Sequence, residues 1–387
     1  MTSIKLLNKI SPVVNEILDD KRYTVSETAE GAEGILVRSA KILDMEFEKE
    51  LLCIARAGAG YNNIPVDRCS EKGIVVFNTP GANANAVKEL TIAGMLLAGR
   101  DIAGGMAWVR SLKGESDIAG LVEKGKGQFT GPELKGKKLA IIGLGAIGTM
   151  LANAARGLDM EVCGYDPYLS VDHALMLTRS VHISRDIHEA LADADFISVH
   201  IPLNDATKGS INREYMEAFK DGAVLLNFAR GELVDTNAVL EALASGKLRR
   251  YVTDFPTSEM LDNPAVIALP HLGASTPESE ENCAEMAAKQ VDAYLTRGAI
   301  INSVNYPVCD PGYVENCRLC ILHANVPGMV NMITGFLAHD GINIGNMMNK
   351  SRGNVAYTVV DLDTEVTAES AALLTSLEGI YKVRVIK

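Results

Sequence analysis

A chain of 387 residues has room for two or three domains, and its 47% of apolar residues is ample for their cores. The net charge of −12 argues against nucleic acid, whose binding wants clustered cations, but leaves room for an anionic substrate held by a few local arginines. No apolar run reaches the roughly 18 residues of a membrane span. Met1–Ile10 alternates apolar residues without the core of a signal peptide, and seven cysteines without framework spacing read as reduced thiols in the cytoplasm.

The first 85 or so residues read as short strand–helix alternation. Gly34–Val37 is an apolar strand ending in Arg38-Ser39. Leu51–Ala55 is a second, ending in Arg56-Ala-Gly-Ala59-Gly60. Ile74–Phe77 is a third, ending in Asn78. The pattern predicts a small parallel α/β domain. Ala86 to Arg110 reads as one long, mostly apolar helix between two lobes. Residues 111–136, rich in Gly and Lys and without a clear period, read as a connection.

Leu139–Ile142 is a continuous apolar run, as expected of a strand buried on both faces. Gly143, Gly145 and Gly148 follow as G-x-G-x-x-G, then apolar residues at helical spacing, then a short strand ending in Asp166. The first glycine allows a tight turn, the second lets backbone approach a pyrophosphate, and the third lets helix pack on strand. The helix N-terminus offers its free N–H groups to the phosphates. Asp166 lies about 20 residues on, where a carboxylate can accept from an adenosine ribose. Pro167 and Tyr168 follow it with no cation beside the acid, which favours NAD over NADP.

Strand patterns continue at Phe196–His200, Ala223–Asn227, Arg250–Thr253 and Ala265–Leu269. Thr276 then caps a helix with Pro277 first and acidic residues in its first turn, running to about Arg297. From Arg318 the chain spells β-α-β-β-α-β, a ferredoxin-like order. Cys317 and Cys320 form a C-x-x-C inside an apparent strand, with no second pair or His to complete a metal site.

In open α/β sheets, ligands bind outside the carboxyl ends of the strands. Arg38, Ser39, Arg56, the Gly58–Gly60 turn, Asn78, His200, Arg230, Asp254 and His271 all fall there, which suggests a cleft between a dinucleotide domain and a second lobe. Oxidising a secondary alcohol by hydride transfer needs a base for the hydroxyl proton and a cation for the substrate's anion. His271 suits the first, because imidazole exchanges protons at neutral pH. Arg230 suits the second, its planar fork matching a carboxylate.

Gly143-Leu-Gly-Ala-Ile-Gly148, Asn227-Phe-Ala-Arg-Gly-Glu-Leu-Val-Asp235 and Pro270-His-Leu-Gly-Ala-Ser-Thr276 resemble the three signatures of the D-2-hydroxyacid dehydrogenases. Arg56–Asn63, Phe77–Gly81 and the C-terminal unit narrow the resemblance to the branch that oxidises 3-phosphoglycerate to 3-phosphohydroxypyruvate in L-serine biosynthesis. The resemblance implies a Rossmann-like NAD domain at 91–276, inserted in a flavodoxin-like substrate lobe made of 1–90 and 277–305, with a ferredoxin-like ACT regulatory domain at 306–387. It implies a catalytic Arg230, Glu and His271. The family's Asp-to-Glu interval reaches Glu259 from Asp254, whereas counting from Phe255 reaches Ser258; Asp254 and Thr253 share the same one-residue ambiguity as the nicotinamide contact, and Glu259 and Asp254 are taken because neither neighbour carries a carboxylate.

Further NAD contacts map to Ala146, Ile147, Asp166, Phe228, Ala229, Gly273 and Ala274, and substrate contacts to Arg38, Ser39, Arg56, Ala59, Gly60 and Asn78. His323, Asn325 and Asn343 match the pattern by which related ACT domains contact L-serine. The resemblance also implies a homodimer or homotetramer, no metal, and no nucleic-acid or membrane partner. Two other readings remain: a glyoxylate or hydroxypyruvate reductase of the same family, and a non-catalytic NADH-sensing protein.

Overall fold

The computed structural model describes residues 1–387, which form two compact units: Met1–Ala82 with Glu280–Lys387, and Asn83–Ser279.

The first unit opens with a five-stranded parallel sheet of β1 (Thr2–Leu7), β2 (Tyr23–Ser26), β3 (Gly34–Val37), β4 (Cys53–Arg56) and β5 (Val75–Phe77). Their order is β2-β1-β3-β4-β5, the flavodoxin-like arrangement. Strands β3 and β5 are buried throughout and β4 as far as Arg56, as the unbroken apolar runs require.

In the second unit, β6 (Lys138–Ile142), β7 (Glu161–Tyr165), β8 (His182–Ser184), β9 (Phe196–Val199), β10 (Ala223–Asn227), β11 (Leu248–Thr253) and β12 (Val266–Ala268) form a parallel sheet ordered β12-β11-β10-β9-β6-β7-β8. The chain order reverses at β6, between β9 and β7. That is the doubly wound Rossmann topology, whose ligand crevice opens at this switch point.

Two expectations for this unit change. The single helix foreseen over 86–110 is two, Ala84–Gly99 and Ile102–Ser111. The connection foreseen over 111–136 contains a helix, Ile118–Gly125, and a 3₁₀ turn, Lys126–Phe129. One device explains both. The tetrapeptide Asp-Ile-Ala-Gly occurs twice, and each Asp is an N-cap: Asp101 accepts from the Gly104 N–H at 3.1 Å, and Asp117 from the Gly120 N–H at 2.9 Å. The glycine lets the carboxylate lie against the first turn, where a Cβ would collide with it.

The C-terminal part of the first unit is an antiparallel sheet of β13 (Cys317–Ala324), β14 (Ile344–Arg352), β15 (Val355–Leu362) and β16 (Ile380–Ile386), ordered β14-β15-β13-β16, with helices Met329–His339 and Ala368–Thr375. It shares one core with the first sheet and with the long helix Pro277–Arg297: Phe77, Tyr294, Cys320, Tyr357 and Ile386 pack in one cluster. Arg384 caps that helix's C-terminus, donating to the carbonyls of Tyr294 and Leu295 at 3.2 and 3.0 Å and stacking over the Tyr294 ring. All seven cysteines are buried and unbridged, Cys317 and Cys320 among them, and no group of side chains is arranged to hold a metal. No helix is long and apolar enough to cross a membrane.

Candidate active site

At the end of β6 the chain turns at Gly143, whose φ of +95° a side chain would rarely adopt and whose Cβ would lie 2.6 Å from the His200 carbonyl oxygen. Gly145 has open space where a Cβ would sit, and at Gly148 a Cβ would strike the Gly143 carbonyl. The helix Ala146–Gly157 starts there, so the first-turn N–H groups of Ala146 and Ile147 have no helical partner. Asp166 stands at the end of β7. One of its oxygens accepts the Leu144 N–H at 2.9 Å and the other the Tyr168 N–H at 2.8 Å, which fixes the carboxylate beside the turn. This cradle of bare glycine backbone, helix N-terminus and anchored acid fits a dinucleotide.

Asn227 ends β10 fully buried. Its carbonyl oxygen accepts the Ala229 N–H at 3.1 Å, and its amide donates to the Arg230 carbonyl at 2.8 Å. The chain is thereby bent so that Arg230 leaves the sheet half-buried, its Nη1 donating to the Ala229 carbonyl at 2.6 Å. Phe228 is buried, with its ring against helix residue Gly94, where a Cβ would sit 3.0 Å away.

At the end of β11, Asp254 is 2% exposed, and neither carboxylate oxygen has a hydrogen-bond partner. Desolvation raises its pKa above the ordinary carboxyl value, while the field of His271, the neighbouring backbone N–H dipoles of Gly273 and of Asp254 itself, and the field of Arg230 oppose that rise. A buried, unpaired carboxylate is costly, so a donor from outside the protein fits here. Gly273 adjoins it: a Cβ there would lie 3.6 Å from Oδ2 of Asp254. The exposed His271 ring rests on Phe255, with centroids 4.6 Å apart.

Glu259 lies exposed on the single turn Ser258–Leu261, its pKa lowered by the Thr257 hydroxyl. No hydrogen bond joins it to His271 in this structure, and Ser258 is exposed on the same turn. His200 bonds Ser198 at 2.8 Å, and burial lowers its pKa to about 4, so it is neutral at physiological pH.

In the first unit, Arg38, Ser39 and Arg56 follow or end their strands. Asn8, at φ +72°, accepts the N–H groups of Ser39 and Ala40 at 3.2 and 2.6 Å. Arg56 donates from Nε to the Arg38 carbonyl at 3.0 Å, and its guanidinium lies over Gly58. Asn78 donates to the Ala59 carbonyl at 2.6 Å, Thr79 accepts the Gly58 N–H at 2.8 Å, and the buried Gln290 donates to the Asn78 carbonyl at 3.0 Å. The Ala59–Gly60 turn is thus held from β5 and from the long helix. The structure joins Arg38, Arg56, the turn and Asn78 in one network.

Comparison with known proteins agrees with this geometry. Residues 92–273 match the NAD-binding domain of the D-isomer specific 2-hydroxyacid dehydrogenases. The D-3-phosphoglycerate dehydrogenase of Haemophilus influenzae is 30% identical over 360 residues, covering 88% of this chain and 83% of that protein. The chain belongs to the D-isomer specific 2-hydroxyacid dehydrogenase family.

A D-3-phosphoglycerate dehydrogenase of Methanocaldococcus jannaschii is 38% identical over 79% of this chain, which spans 57% of that longer protein. Among solved structures, the NAD+-bound 3-phosphoglycerate dehydrogenase of Entamoeba histolytica superposes with a TM-score of 0.61 at 28% identity, covering 79% of this chain and 98% of that one. Within this family member, the residues matched to an effector lie in the C-terminal unit, His323 on β13 and Asn325 and Asn343 just outside β13 and β14, and each is already engaged. His323 is buried on β13, with Nδ1 at 2.8 Å from the Ala324 carbonyl and Nε2 at 2.8 Å from the Thr358 hydroxyl. Burial lowers its pKa. Asn325 donates to the Gly353 carbonyl at 2.9 Å, and Asn343 donates to the Asp363 carboxylate.

The sequence alone assigns no positioning role to Asn227, Phe255, Asn8, Thr79 or Gln290, which hold functional groups in place and do not supply them. Asn227 had a legible signal, an amide ending an apolar strand just before a turn. The bonds of Asn8 and Gln290 link residues far apart in sequence and had none.

Proposed function

We propose that the chain is an NAD-dependent dehydrogenase that oxidises 3-phosphoglycerate to 3-phosphohydroxypyruvate, the first step of phosphorylated L-serine biosynthesis. The observation that carries this reading is the set following β10, β11 and β12: a half-buried Arg230, a buried carboxylate without a side-chain donor at Asp254, and an exposed imidazole at His271. The names of the relatives supply the substrate, and the arginines after β3 and in β4 suit its phosphate.

Bound NAD would supply the acceptor for the hydride that leaves the substrate carbon. The glycine turn, Ala146 and Ile147 would hold its pyrophosphate, Asp166 its ribose, and Asp254 the amide of its nicotinamide. Phe228, Ala229, Gly273 and Ala274 line it. His271 takes the hydroxyl proton at its ring nitrogen, and Glu259, once brought to that ring, would stabilise the imidazolium that results. Arg230 binds the substrate carboxylate as a charge-assisted pair. Arg38, Ser39, Arg56, the Ala59–Gly60 turn and Asn78 bind the rest of the substrate.

On this reading residues 1–90 and 277–305 are the substrate-binding lobe, 91–276 the NAD domain and 306–387 an ACT regulatory domain. The enzyme works in the cytoplasm as a homodimer or homotetramer, with L-serine as effector through His323, Asn325 and Asn343. Absorbance at 340 nm with NAD and a panel of 2-hydroxy acids tests the reading. Reduction of NAD with 3-phosphoglycerate well ahead of glycerate is expected. Preference for glycolate or glycerate would make the protein a glyoxylate or hydroxypyruvate reductase. Tight NADH binding with no turnover of any acid would make it a sensor.

A further inference from the structure

Arg38 is not free to meet a ligand. Its Nη2 donates to Oε1 of Glu280 at 2.6 Å, in an ion pair that joins the loop after β3 to the first turn of the long helix. The Arg38 backbone is fixed independently, since its carbonyl accepts from Arg56 at 3.0 Å and from Asn63 at 3.4 Å. Glu280 is therefore not needed to hold the loop. It governs only where the guanidinium points.

The two side chains are 37% and 42% exposed. At that exposure solvent screens the pair, so its net worth is small and a stronger anion can displace it. A phosphate dianion carries more charge than a carboxylate and makes stronger charge-assisted contacts to a guanidinium. Displaced Glu280 still stands nearby, where it repels a dianion more than a neutral hydroxyl.

We propose that Glu280 is a specificity-determining counter-ion that occupies Arg38 until a substrate phosphate displaces it, and so sets the penalty that phosphorylated substrates meet. The inference rests on the reading of Arg38 as a phosphate contact. It concerns a substrate's phosphorylated end, because an unphosphorylated acid leaves the Arg38–Glu280 pair intact.

The test is steady-state kinetics of Glu280→Gln with 3-phosphoglycerate and with glycerate. Gln keeps the size and an oxygen acceptor for Nη2 but removes the charge. KM for 3-phosphoglycerate should fall about three- to five-fold, the size of one half-exposed ion pair, with kcat and the KM for glycerate unchanged. Glu280→Asp, which retains the charge, should stay near the parent. In an Arg38→Ala background the fall produced by Glu280→Gln should shrink, because only the repulsion of the phosphate remains to be relieved. Equal changes for both substrates, or a KM for 3-phosphoglycerate that rises, would overturn the proposal. If Arg38→Ala alone leaves both KM values unchanged, the phosphate reading of Arg38 fails, and the proposal with it; if Arg38→Ala selectively raises the KM for 3-phosphoglycerate while Glu280→Gln changes nothing, only the role of Glu280 fails.

Discussion

The polar groups following β10, β11 and β12 contrast with those of the C-terminal unit. In the first region the fold spends hydrogen bonds on the scaffold and leaves the reactive groups open. Asn227 is fully paired, whereas Asp254 has no donor and His271 only an aromatic neighbour. In the second region each matched group already has a protein partner: His323 has two, and Asn325 and Asn343 one each. Unsatisfied buried polarity marks a site that is ready for a ligand, because its cost persists until a ligand relieves it. Satisfied polarity marks either structure or a site that must break bonds before it binds. The two regions should therefore respond differently to substitution.

The largest effect belongs to His271. His271→Ala should lower the turnover number by about 10²–10⁴ while leaving NAD affinity within a few-fold, as read by turnover and by a binding titration. Activity near that of the parent would remove the open imidazole from the chemistry, and with it the main difference between the regions. Glu259→Gln in parallel should shift the pH profile of the same step. If Ser258→Ala did so instead, the other register would hold.

Next is the phosphate end of the substrate. Arg56→Ala should cost roughly 1.5–3 kcal/mol of binding for 3-phosphoglycerate and far less for glycerate, because a charge-assisted contact is lost only with the former. Equal losses would make Arg56 a structural brace for the Arg38 carbonyl and the turn.

Much of this was legible in the sequence, and the exceptions have physical causes. The glycine turn, the buried parallel strands and the Thr276 cap are local devices: each is complete within a short window of chain, and the structure shows the cap as the Ser279 N–H bonded to Thr276 Oγ1 at 3.1 Å. The twin Asp caps at 101 and 117 were legible too, but the apolar run around the first and the glycines around the second masked them. What the sequence did not reveal is non-local polarity. The partners Arg38 and Glu280 are 242 residues apart, and no periodicity or spacing connects them. Nor did motif matching distinguish a free polar group from an engaged one. His271 and His323 look alike in a motif, yet one is exposed and the other is sealed between strands.

A smaller effect separates binding from stability at Asp254. Its raised pKa means that the folded protein holds this proton more tightly than the unfolded chain does. The ionised form then opposes folding, and this penalty grows as pH rises through the folded value and vanishes below the unfolded value near 3.8. Asp254→Asn should make the ligand-free protein more stable by about 1 kcal/mol at pH 8, with the gain shrinking toward pH 4, while NAD binding weakens. Thermal unfolding at several pH values, with and without NAD, measures both. A variant less stable than the parent at every pH would mean that the carboxylate is satisfied after all.

The smallest effect is expected at Asn343. Its amide bonds Asp363 in an exposed pair, so Asn343→Ala should change stability and uninhibited turnover only within about 0.5 kcal/mol. If L-serine binds here, the Asn343–Asp363 bond must open to free the amide for the effector's carboxylate or ammonium. That opening lowers the affinity of the parent, but the variant loses the contact itself and should bind serine several-fold more weakly still. Any inhibition must be transmitted as a coupling of about 1–3 kcal/mol, and it must be reciprocal for binding. Saturating substrate should therefore weaken serine binding in the parent by the same factor by which serine weakens substrate binding. Isothermal calorimetry with and without 3-phosphoglycerate measures that factor. No serine binding to the parent at millimolar concentration would show that the engaged groups of the C-terminal unit are structural.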